Sequence, residues 1–336
     1  MYGKILFISC TLLPAVTAAY HVFNLSASSS SSSSSADTAC RRGNNTRQCR
    51  RSRIFATQLR LGKRVSTRQP KTKQKMKQLS LESLLDVEME LRARGYRYII
   101  GVDDTGGAGC IAGPIVVASC CLLKPIPWLQ PIETESSTDH IVSQSAVKTM
   151  SMVNDCKVLT REQRQEIYDT VQSYPDVFAV SIIQRSPEQV DELNISRATQ
   201  EAFAESIETL VDEYKLPYGE VYAIVDGNVS PKLYAFQRKQ YHLLKECEET
   251  DLPQSLDIFP VRPYVNGDAN VYTVALASII ARVERDAIMD NLHRQHPLYG
   301  FAEHAGFGRR DHIEAIHRLG AIEGVHRMSF KQVKGR

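Results

Sequence analysis

The chain has 336 residues, of which 43% are hydrophobic and 24% are charged, and its formal net charge is +3. This charge is uneven: the first 79 residues contain 15 Lys and Arg against one acid, Asp37, and the other 257 contain 26 Lys and Arg against 37 Asp and Glu. A body with a net charge of −11 is not a protein that coats polyanions without specificity, so any contact with nucleic acid has to come from local basic patches.

The first 78 residues have the composition of targeting sequence. Lys4 precedes an apolar run at 5–13 that is too short to cross a bilayer, and small residues follow it, so 1–19 is predicted to be a signal peptide. Residues 20–78 contain eight consecutive serines and an Arg-rich, acid-poor stretch, which is typical of a transit peptide. Signal and transit segments in series predict delivery to a plastid. The alternatives are a mitochondrion, the secretory pathway, or a disordered basic tail that carries no address.

Residues 79–336 alternate helix-like and strand-like segments, which indicates a layered α/β domain. Hydrophobic spacing predicts strands at 96–103, 114–123, 178–183 and 221–225. It predicts helices at 79–95, after Thr160 with a capping box to Gln163, and at 187–214, 232–246, 271–293 and 309–319. The Pro/Ser/Thr-rich stretch 124–152 is predicted to be a loop insertion, and about 270–336 a C-terminal helical part.

The eight cysteines do not indicate a disulfide framework or a zinc site, because the sequence has no C-x-x-C pair. Cys120 and Cys121 are adjacent in an apolar run, where strand alternation sends one side chain to each face. Both are therefore predicted to be small core residues.

Three acids stand where apolar strands end. Asp103 and Asp104 follow an Ile/Val-rich strand and precede a glycine-rich stretch, and Asp226 ends another apolar strand before Gly227. Glycines beyond a strand end let another backbone or a phosphate approach closely. Taken singly, each acid also fits an ordinary strand-end turn.

A fourth acid, Asp286, is predicted to lie on the buried face of the helix that begins at Val271. The apolar stripe of that helix comprises Ala275, Ile279, Val283 and Ala287. Asp286 projects within roughly 20° of Ile279, whereas Glu284 and Arg285 are predicted to point away from the stripe. A buried carboxylate needs a partner or a cation.

Four clustered acids without a zinc pattern favour hard divalent ions with oxygen ligands, Mg²⁺ or Mn²⁺. Two such ions ~3.5–4 Å apart activate a water and stabilise the leaving oxygen of a phosphodiester. The residues alone therefore predict metal-assisted phosphodiester hydrolysis.

The order of the segments resembles type 2 ribonuclease H, specifically ribonuclease HII, over about 98–333. The segments that carry the resemblance are Gly101–Asp104 with Ala112–Pro114, Asn154–Leu159, Asp191–Thr199, Val225–Asn228, Gly267–Ala269, Ala277–Asp286, Tyr299–Phe301, Gly306–Gly308 and His326–Phe330.

The resemblance implies an RNase H-like fold with a mixed central sheet and a C-terminal helical subdomain. It implies that Asp103, Asp104, Asp226 and Asp286 hold two metal ions, Mg²⁺ or Mn²⁺, and cleave the RNA strand of RNA/DNA hybrids to give 5′-phosphate ends. Incision at single ribonucleotides in DNA is a further implication. The predicted partner is an RNA/DNA hybrid or ribonucleotide-containing DNA, and the chain is expected to be a monomer without stable membrane association.

The sequence departs from the family pattern at functional positions. Asp104 replaces a glutamate, Gly106-Gly107-Ala108-Gly109 replaces the Gly-Arg-Gly loop that reads the 2′-hydroxyl, and Ala305-Gly306-Phe307 replaces a Lys-Gly-Tyr segment. These departures leave open a catalytically inactive homologue that binds hybrids or acts as a scaffold. Family analogy also places two further residues near the substrate, Lys157 and Asn194, with a solvated lysine and a helix-capping asparagine as the alternatives.

Overall fold

The computed structural model describes residues 80–124, 142–233 and 259–335. The predicted signal peptide 1–19 and transit-like leader 20–78 lie outside the described residues, as do nearly all of the helix predicted at 232–246 and residues 125–141 of the predicted loop. Within the described ranges, no helix has the length and apolar character that crossing a membrane requires.

A five-stranded mixed sheet forms the centre of the fold, which confirms the predicted fold class. The strands are β1 (Tyr98–Thr105), β2 (Ile115–Leu122), β3 (Phe178–Arg185), β4 (Val221–Asp226) and β5 (Val261–Tyr264). Their order is β3-β2-β1-β4-β5. Strands β1, β2 and β3 pair antiparallel in succession, whereas β4 pairs parallel to β1 and to β5.

The helices of the first half are α1 (Leu81–Ala93), α2 (Gln144–Met150), α3 (Arg161–Ser173), α4 (Pro187–Leu193) and α5 (Ile195–Glu213). Those of the C-terminal half are α6 (Gly267–Asn270), α7 (Tyr272–Gln295), α8 (Phe301–His304), α9 (Arg310–Leu319) and α10 (Lys331–Lys334).

Three sequence predictions about helices can be compared with these bounds. The capping box between Thr160 and Gln163 is confirmed at the start of α3. The single helix predicted at 187–214 is wrong, because Asn194, at φ 65°, separates α4 from α5. The prediction of a loop throughout 124–152 is also wrong, since Ser143 caps α2 within that stretch.

Helices cover both faces of the sheet. Helices α1, α2, α3 and α7 pack on the face that contains Cys120, and α5 packs on the face that contains Cys121. Every residue of β2 is buried, as expected for a strand that is apolar on both faces. The prediction that the two cysteines are core residues on opposite faces is confirmed, and both are free thiols.

Helix α7 lies directly against β1, and this contact positions the candidate site. A Cβ atom at Gly101 would collide with the backbone of Thr273 and Val274, so only glycine permits this approach. The first turn of α7 is capped from a distance: the backbone N–H of Thr273 donates to Glu88 Oε1 at 2.7 Å. Beyond the sheet, the C-terminal helices pack around Ile111, Phe301 and Ile316 in a separate apolar cluster.

Candidate active site

Two neighbouring parallel strands bring Asp103 and Asp226 together. Val102 on β1 is in register with Val225 on β4, so the next residues along, Asp103 and Asp226, are neighbours on adjacent strands, which lie about 4.8 Å apart. Both belong to the face that α7 covers, and Asp103 is only 6% exposed. Asp104 follows on the opposite face of β1.

A fourth carboxylate at this sheet edge is Asp268 of α6. The neighbouring Gly267 donates its backbone N–H to Asp226 Oδ1 at 2.7 Å, which fixes α6 against the end of β4. The charges of Asp226 and Asp268 act on each other and on Asp103. We call Asp103, Asp104, Asp226 and Asp268 the acidic cluster.

Burial and like charge raise the pKa values of three members of the acidic cluster. Burial raises the pKa of Asp103 well above its usual range, and the charges of Asp104 and Asp226 raise it further. The pKa of Asp104 is raised to about 6, first by burial and then by the charge of Asp226. Burial and the charge of Asp268 raise the pKa of Asp226. Ionising the whole cluster therefore requires added positive charge.

The structure does not bring Asp286 into the acidic cluster. Its carboxylate accepts from Arg282 at 3.0 Å and lies 3.7 Å from Arg164. The Ser278 side chain lies against Asp103, and Asp286 is eight residues further along the same helix, a rise of about 12 Å. Asp286 instead lines a separate cleft, so Asp268 replaces it in the candidate site.

The sequence assigns Asp286 to the metal-binding acids because it predicts the wrong buried face for the second half of α7. Arg285, predicted to point outward, is fully buried, whereas Ala287, predicted to be in the stripe, is exposed. The first half of α7 packs on the sheet, but its second half packs between the loop after β1 and α8, where carbonyls of Ala112 and Ala305 accept from Arg285. A burial stripe extrapolated from the first half therefore selects the wrong face.

The sequence does contain a signal for Asp268. It follows strand β5 by four residues and lies at the sheet edge where β1 and β4 also end. Strand β5 is only four residues long and contains Pro263, and a proline argues against a strand in a sequence-based reading. Because the sequence does not predict β5, the rule that acids at the ends of neighbouring strands meet at one sheet edge does not select Asp268.

The acidic cluster is a set of neighbours rather than a finished metal cage. In the described part of the chain, no three His, Cys, Asp or Glu side chains surround one point as ligands. Local partners hold the carboxylates instead: Asp103 Oδ1 accepts from the N–H of Asp104 at 2.7 Å, and Asp268 pairs with the Lys157 ammonium. The donor set is nonetheless all oxygen and mutually repelling, with Asp103 and Asp268 buried and Asp104 and Asp226 half-buried, which fits a hard divalent cation.

The two residues placed near the substrate by analogy have different surroundings. Lys157 pairs with Asp268, and its loop is anchored by Arg164, which donates to the carbonyls of Cys156 at 3.0 Å and Leu159 at 2.8 Å. Asn194 caps α5, since its side chain accepts from the N–H of Arg197 at 3.1 Å. A substrate role for either residue stays a prediction.

The glycine-rich loop and Phe307 are adjacent. We call Gly106–Gly109 the glycine loop. The N–H of Gly308 donates to the carbonyl of Gly109 at 2.8 Å, and Cys110 forms an isolated β-bridge with Phe307. A Cβ atom at Gly107 would lie 2.9 Å from Asp104 Oδ2, so the loop also borders the acidic cluster. The Phe307 ring is 39% exposed, which leaves a face open for stacking.

A cluster of buried histidines, which the sequence reasoning did not identify, supports Phe307. His312 Nδ1 lies 2.9 Å from the carbonyl of Phe307, and its Nε2 lies 3.3 Å from His326 Nε2. His304 stacks on His312 with ring centroids 4.1 Å apart. Burial lowers the pKa of His312 and of His326 to about 4, so both rings are neutral at pH 7.

Comparisons with known proteins identify the family to which the chain belongs. A family model described as ribonuclease HII matches residues 141–333. The chain is 32% identical over 251 residues to ribonuclease HII of Fusobacterium nucleatum, covering 74% of this chain and 93% of that protein. The chain belongs to the ribonuclease HII family. Another ribonuclease HII, from Chlamydia pneumoniae, is 32% identical over 253 residues and is covered to 92%. Ribonuclease H2 of Pyrococcus horikoshii OT3 has a TM-score of 0.47 at 19% identity, over 70% of this chain and 95% of that chain.

Ribonuclease HII is an endoribonuclease family whose members depend on divalent metal ions. Positions at which this chain differs from the family pattern lie close together in the fold. Ala305 adopts φ 47° and its carbonyl accepts from Arg285, so a backbone contact remains where the family lysine is missing. Arg309 lines the same cleft as Phe307 and pairs with Asp311 at 3.0 Å, and Arg310 pairs with Glu314 and is 91% exposed. Of these two arginines, Arg309 is the one beside Phe307.

Proposed function

We propose that this ribonuclease HII hydrolyses the RNA strand of RNA/DNA hybrids, with divalent cations held by Asp103, Asp104, Asp226 and Asp268. One observation carries the proposal: four carboxylates from three separate segments meet at one sheet edge, where burial and mutual repulsion raise the pKa of three of them. Such a set is costly for a fold to keep without a cation.

The chemistry divides between the cation and the chain. Bound Mg²⁺ or Mn²⁺, as a pair of ions, supplies Lewis-acid activation of the phosphodiester and stabilises the leaving oxygen. The chain contributes the carboxylates, whose ionised forms a bound cation would favour, and the hydroxyl of Ser278, which lies against Asp103. Lys157 pairs with Oδ2 of Asp268, and its 60% exposed side chain can turn from there towards a phosphate.

Features next to the acidic cluster support incision at single ribonucleotides as part of the proposal. The exposed Phe307 ring offers a stacking surface beside the glycine loop, whose backbone borders Asp104. Arg309 beside Phe307 supplies a cation for a phosphate of the bound strand. Together these groups would recognise a ribose and its phosphate next to the scissile bond.

A second candidate is a chain that binds hybrids without cleaving them. Asp104 is shorter than glutamate by one methylene, about 1.5 Å, and a misplacement near 1 Å costs on the order of 10²-fold in rate. The aspartate at position 104 is the observation that favours this candidate.

Cleavage of a uniform RNA/DNA hybrid by the purified chain, with Mn²⁺ or Mg²⁺ titrated from a chelator, tests the proposal. We expect metal-dependent cleavage that is lost in Asp103→Asn and kept in Asp86→Asn, a matched change at an exposed position of α1. Hybrid binding with no cleavage above the Asp103→Asn background would favour the second candidate.

We also propose that residues 1–78 direct the protein to a plastid through successive signal and transit segments. A fluorescent protein fused after residue 78 tests this in plastid-bearing cells. Signal confined to mitochondria or to the secretory pathway would contradict it.

A further inference from the structure

Two fully buried arginines surround the loop that follows β1. Arg285 of α7 and Arg327, which precedes α10, have no exposed surface. The guanidinium groups of Arg285 and Arg327 contact backbone carbonyls. In contrast, the nearby Arg282 and Arg164 pair with the carboxylate of Asp286. Burying a charge is costly, so a fold keeps one where it holds something in place.

Arg327 binds the glycine loop itself. Its Nη1 donates to the carbonyls of Gly107 at 3.1 Å and Cys110 at 3.0 Å, and its Nη2 donates to the carbonyls of Gly106 and, at 3.0 Å, Gly113. A planar guanidinium with five fixed donors can reach these carbonyls at once.

Arg285 holds the segment that follows the glycine loop. It donates to the carbonyls of Pro114 at 3.0 Å, Ala112 at 3.1 Å and Ala305 at 2.8 Å, and so ties the end of the loop to the segment before Phe307. The second segment is tied directly as well, because the N–H of Ile111 donates to the carbonyl of Gly306 at 2.8 Å.

Glycines leave the space that Arg285 occupies. Gly106 has φ 84°, and a Cβ atom there would collide with Nε of Arg285. Gly306 has φ 80°, and a Cβ atom there would lie 3.2 Å from Nη2 of Arg285 and collide with the carbonyl of Ala112. Positive φ and lack of room each demand glycine, so the glycines and the arginine form one arrangement.

With its carbonyls held, the glycine loop has N–H donors to spare. Among the described residues, nothing accepts from the N–H groups of Gly107, Ala108 or Gly109, and the last two residues are exposed. Successive free backbone N–H groups favour an oxygen atom of a ligand. The charges of Arg327 and Arg285 also reach Asp104, where they oppose the rise in its pKa caused by burial and Asp226.

We propose that Arg327 and Arg285 are positioning residues for the glycine loop, so that the N–H groups of Gly107, Ala108 and Gly109 face substrate oxygens beside Asp104. Arg327 holds the loop by the carbonyls of Gly106 and Gly107, and Arg285 holds the segment that follows it by the carbonyls of Ala112 and Pro114. This inference rests on the proposed function, since it assigns the loop to the recognition of the hybrid. Neither arginine touches the reacting atoms; each acts through the loop.

The test compares Arg327→Lys and Arg285→Lys with a matched control, Arg318→Lys, at an exposed position of α9. Lysine keeps the charge but has one compact ammonium, which cannot span the same carbonyls. Two quantities are measured on the full chain in EDTA: hydrogen–deuterium exchange of residues 110–113, and the ratio of affinities for an RNA/DNA hybrid and for DNA of the same sequence.

We expect exchange at 110–113 to accelerate about tenfold in both variants. The hybrid-over-DNA affinity ratio should fall about tenfold, while Arg318→Lys matches the unmodified chain in both measurements. A role confined to global stability would not change this ratio at a temperature well below unfolding. If Arg327→Lys does not fold, the exchange rate and the affinity ratio of Arg285→Lys decide the test.

The proposal is overturned if folded variants keep the exchange rates of the unmodified chain, or if exchange accelerates while the affinity ratio stays unchanged. Failure of hybrid recognition, on which the proposed function rests, gives a different result: the unmodified chain itself would bind hybrid and DNA equally. That result removes the substrate role of the arginines along with the proposed function.

Discussion

Two groups of acidic residues lie near opposite ends of helix α7, and they differ in what balances their charge. At the N-terminal end, the Lys157 ammonium pairs with Asp268, and Arg327 and Arg285 act on Asp104 only through their charges. At the C-terminal end, Asp286 pairs with Arg282 and lies beside Arg164, and Asp290 pairs with Arg161. Acids that have their own arginines need no metal, whereas buried acids that mainly face one another do.

The difference assigns separate roles to the two groups. Through Arg164, Asp286 is connected to the carbonyls of Cys156 and Leu159, and therefore to the loop that carries Lys157. Asp286 is thus a structural anchor, and the acidic cluster is the candidate metal site. Substitutions in each group, a pH series and cation binding can test this division.

Replacing one acid from each group should separate them by activity. We expect Asp268→Asn to lower hybrid cleavage at least about 100-fold, since it removes a ligand from the acidic cluster. Asp286→Asn should lower cleavage less than about fivefold but reduce the free energy of unfolding by about 1–3 kcal/mol, because it leaves Arg164 and Arg282 without a carboxylate. Urea denaturation measures the second effect, and equal losses of cleavage would contradict the division.

The acidic cluster should contribute to the pH dependence of stability. The pKa of Asp104 is raised to about 6 in the folded state, so its favourable contribution is complete below the unfolded pKa of about 4 and is lost as the pH rises through 6. The buried histidines act in the opposite direction, because the pKa of His312 and of His326 is lowered to about 4 and stability is therefore lost as the pH falls below their unfolded pKa of about 6.5. In EDTA, we expect the Asp104 contribution, measured as the difference between the unmodified chain and Asp104→Asn, to fall by about 1–2 kcal/mol between pH 4 and pH 7.

The control for this pH series is a pair of variants. Asp104→Asn should remove this contribution from the profile, and Asp286→Asn should leave the shape of the profile unchanged. Saturating Mn²⁺ should also remove the loss above pH 6, because bound cations favour the ionised carboxylates. A profile that Asp286→Asn flattens and Asp104→Asn does not would reverse the assignment.

The single ammonium at the acidic cluster should oppose cation binding. We expect Lys157→Met to tighten Mn²⁺ binding about threefold, because Asp268 loses a competing partner, and to weaken hybrid binding by a similar factor. Arg282→Met, which removes a cation from the other group, should change neither quantity. Weaker Mn²⁺ binding in Lys157→Met would show that the lysine supports the cations rather than competing with them.

The sequence predicts most of the fold because its signals are local. Hydrophobic spacing finds β1 to β4 and α7, and a capping box finds the start of α3. The break at Asn194 escapes prediction because an asparagine with positive φ leaves no gap in the helical pattern of the residues around it. The short strand β5 escapes because its four residues include a proline.

The candidate site is predictable only in part, for a tertiary reason. Asp103, Asp104 and Asp226 follow from the rule that acids at the ends of buried strands meet at one edge. Asp268 and Arg285 depend on how α6 and α7 pack, and a helix that changes partners along its length changes its buried face too. The motif Gly267–Ala269 carries the family resemblance, but that resemblance alone does not distinguish Asp268 from Asp286.

The most direct test of the central claim is the binding of Mn²⁺ to the purified chain, measured by isothermal titration calorimetry at pH 7. If the acidic cluster holds the cations, the unmodified chain and Asp286→Asn bind Mn²⁺ with similar affinity. Asp103→Asn and Asp268→Asn lose Mn²⁺ binding. Binding that survives in folded Asp268→Asn but is lost in Asp286→Asn would contradict this claim.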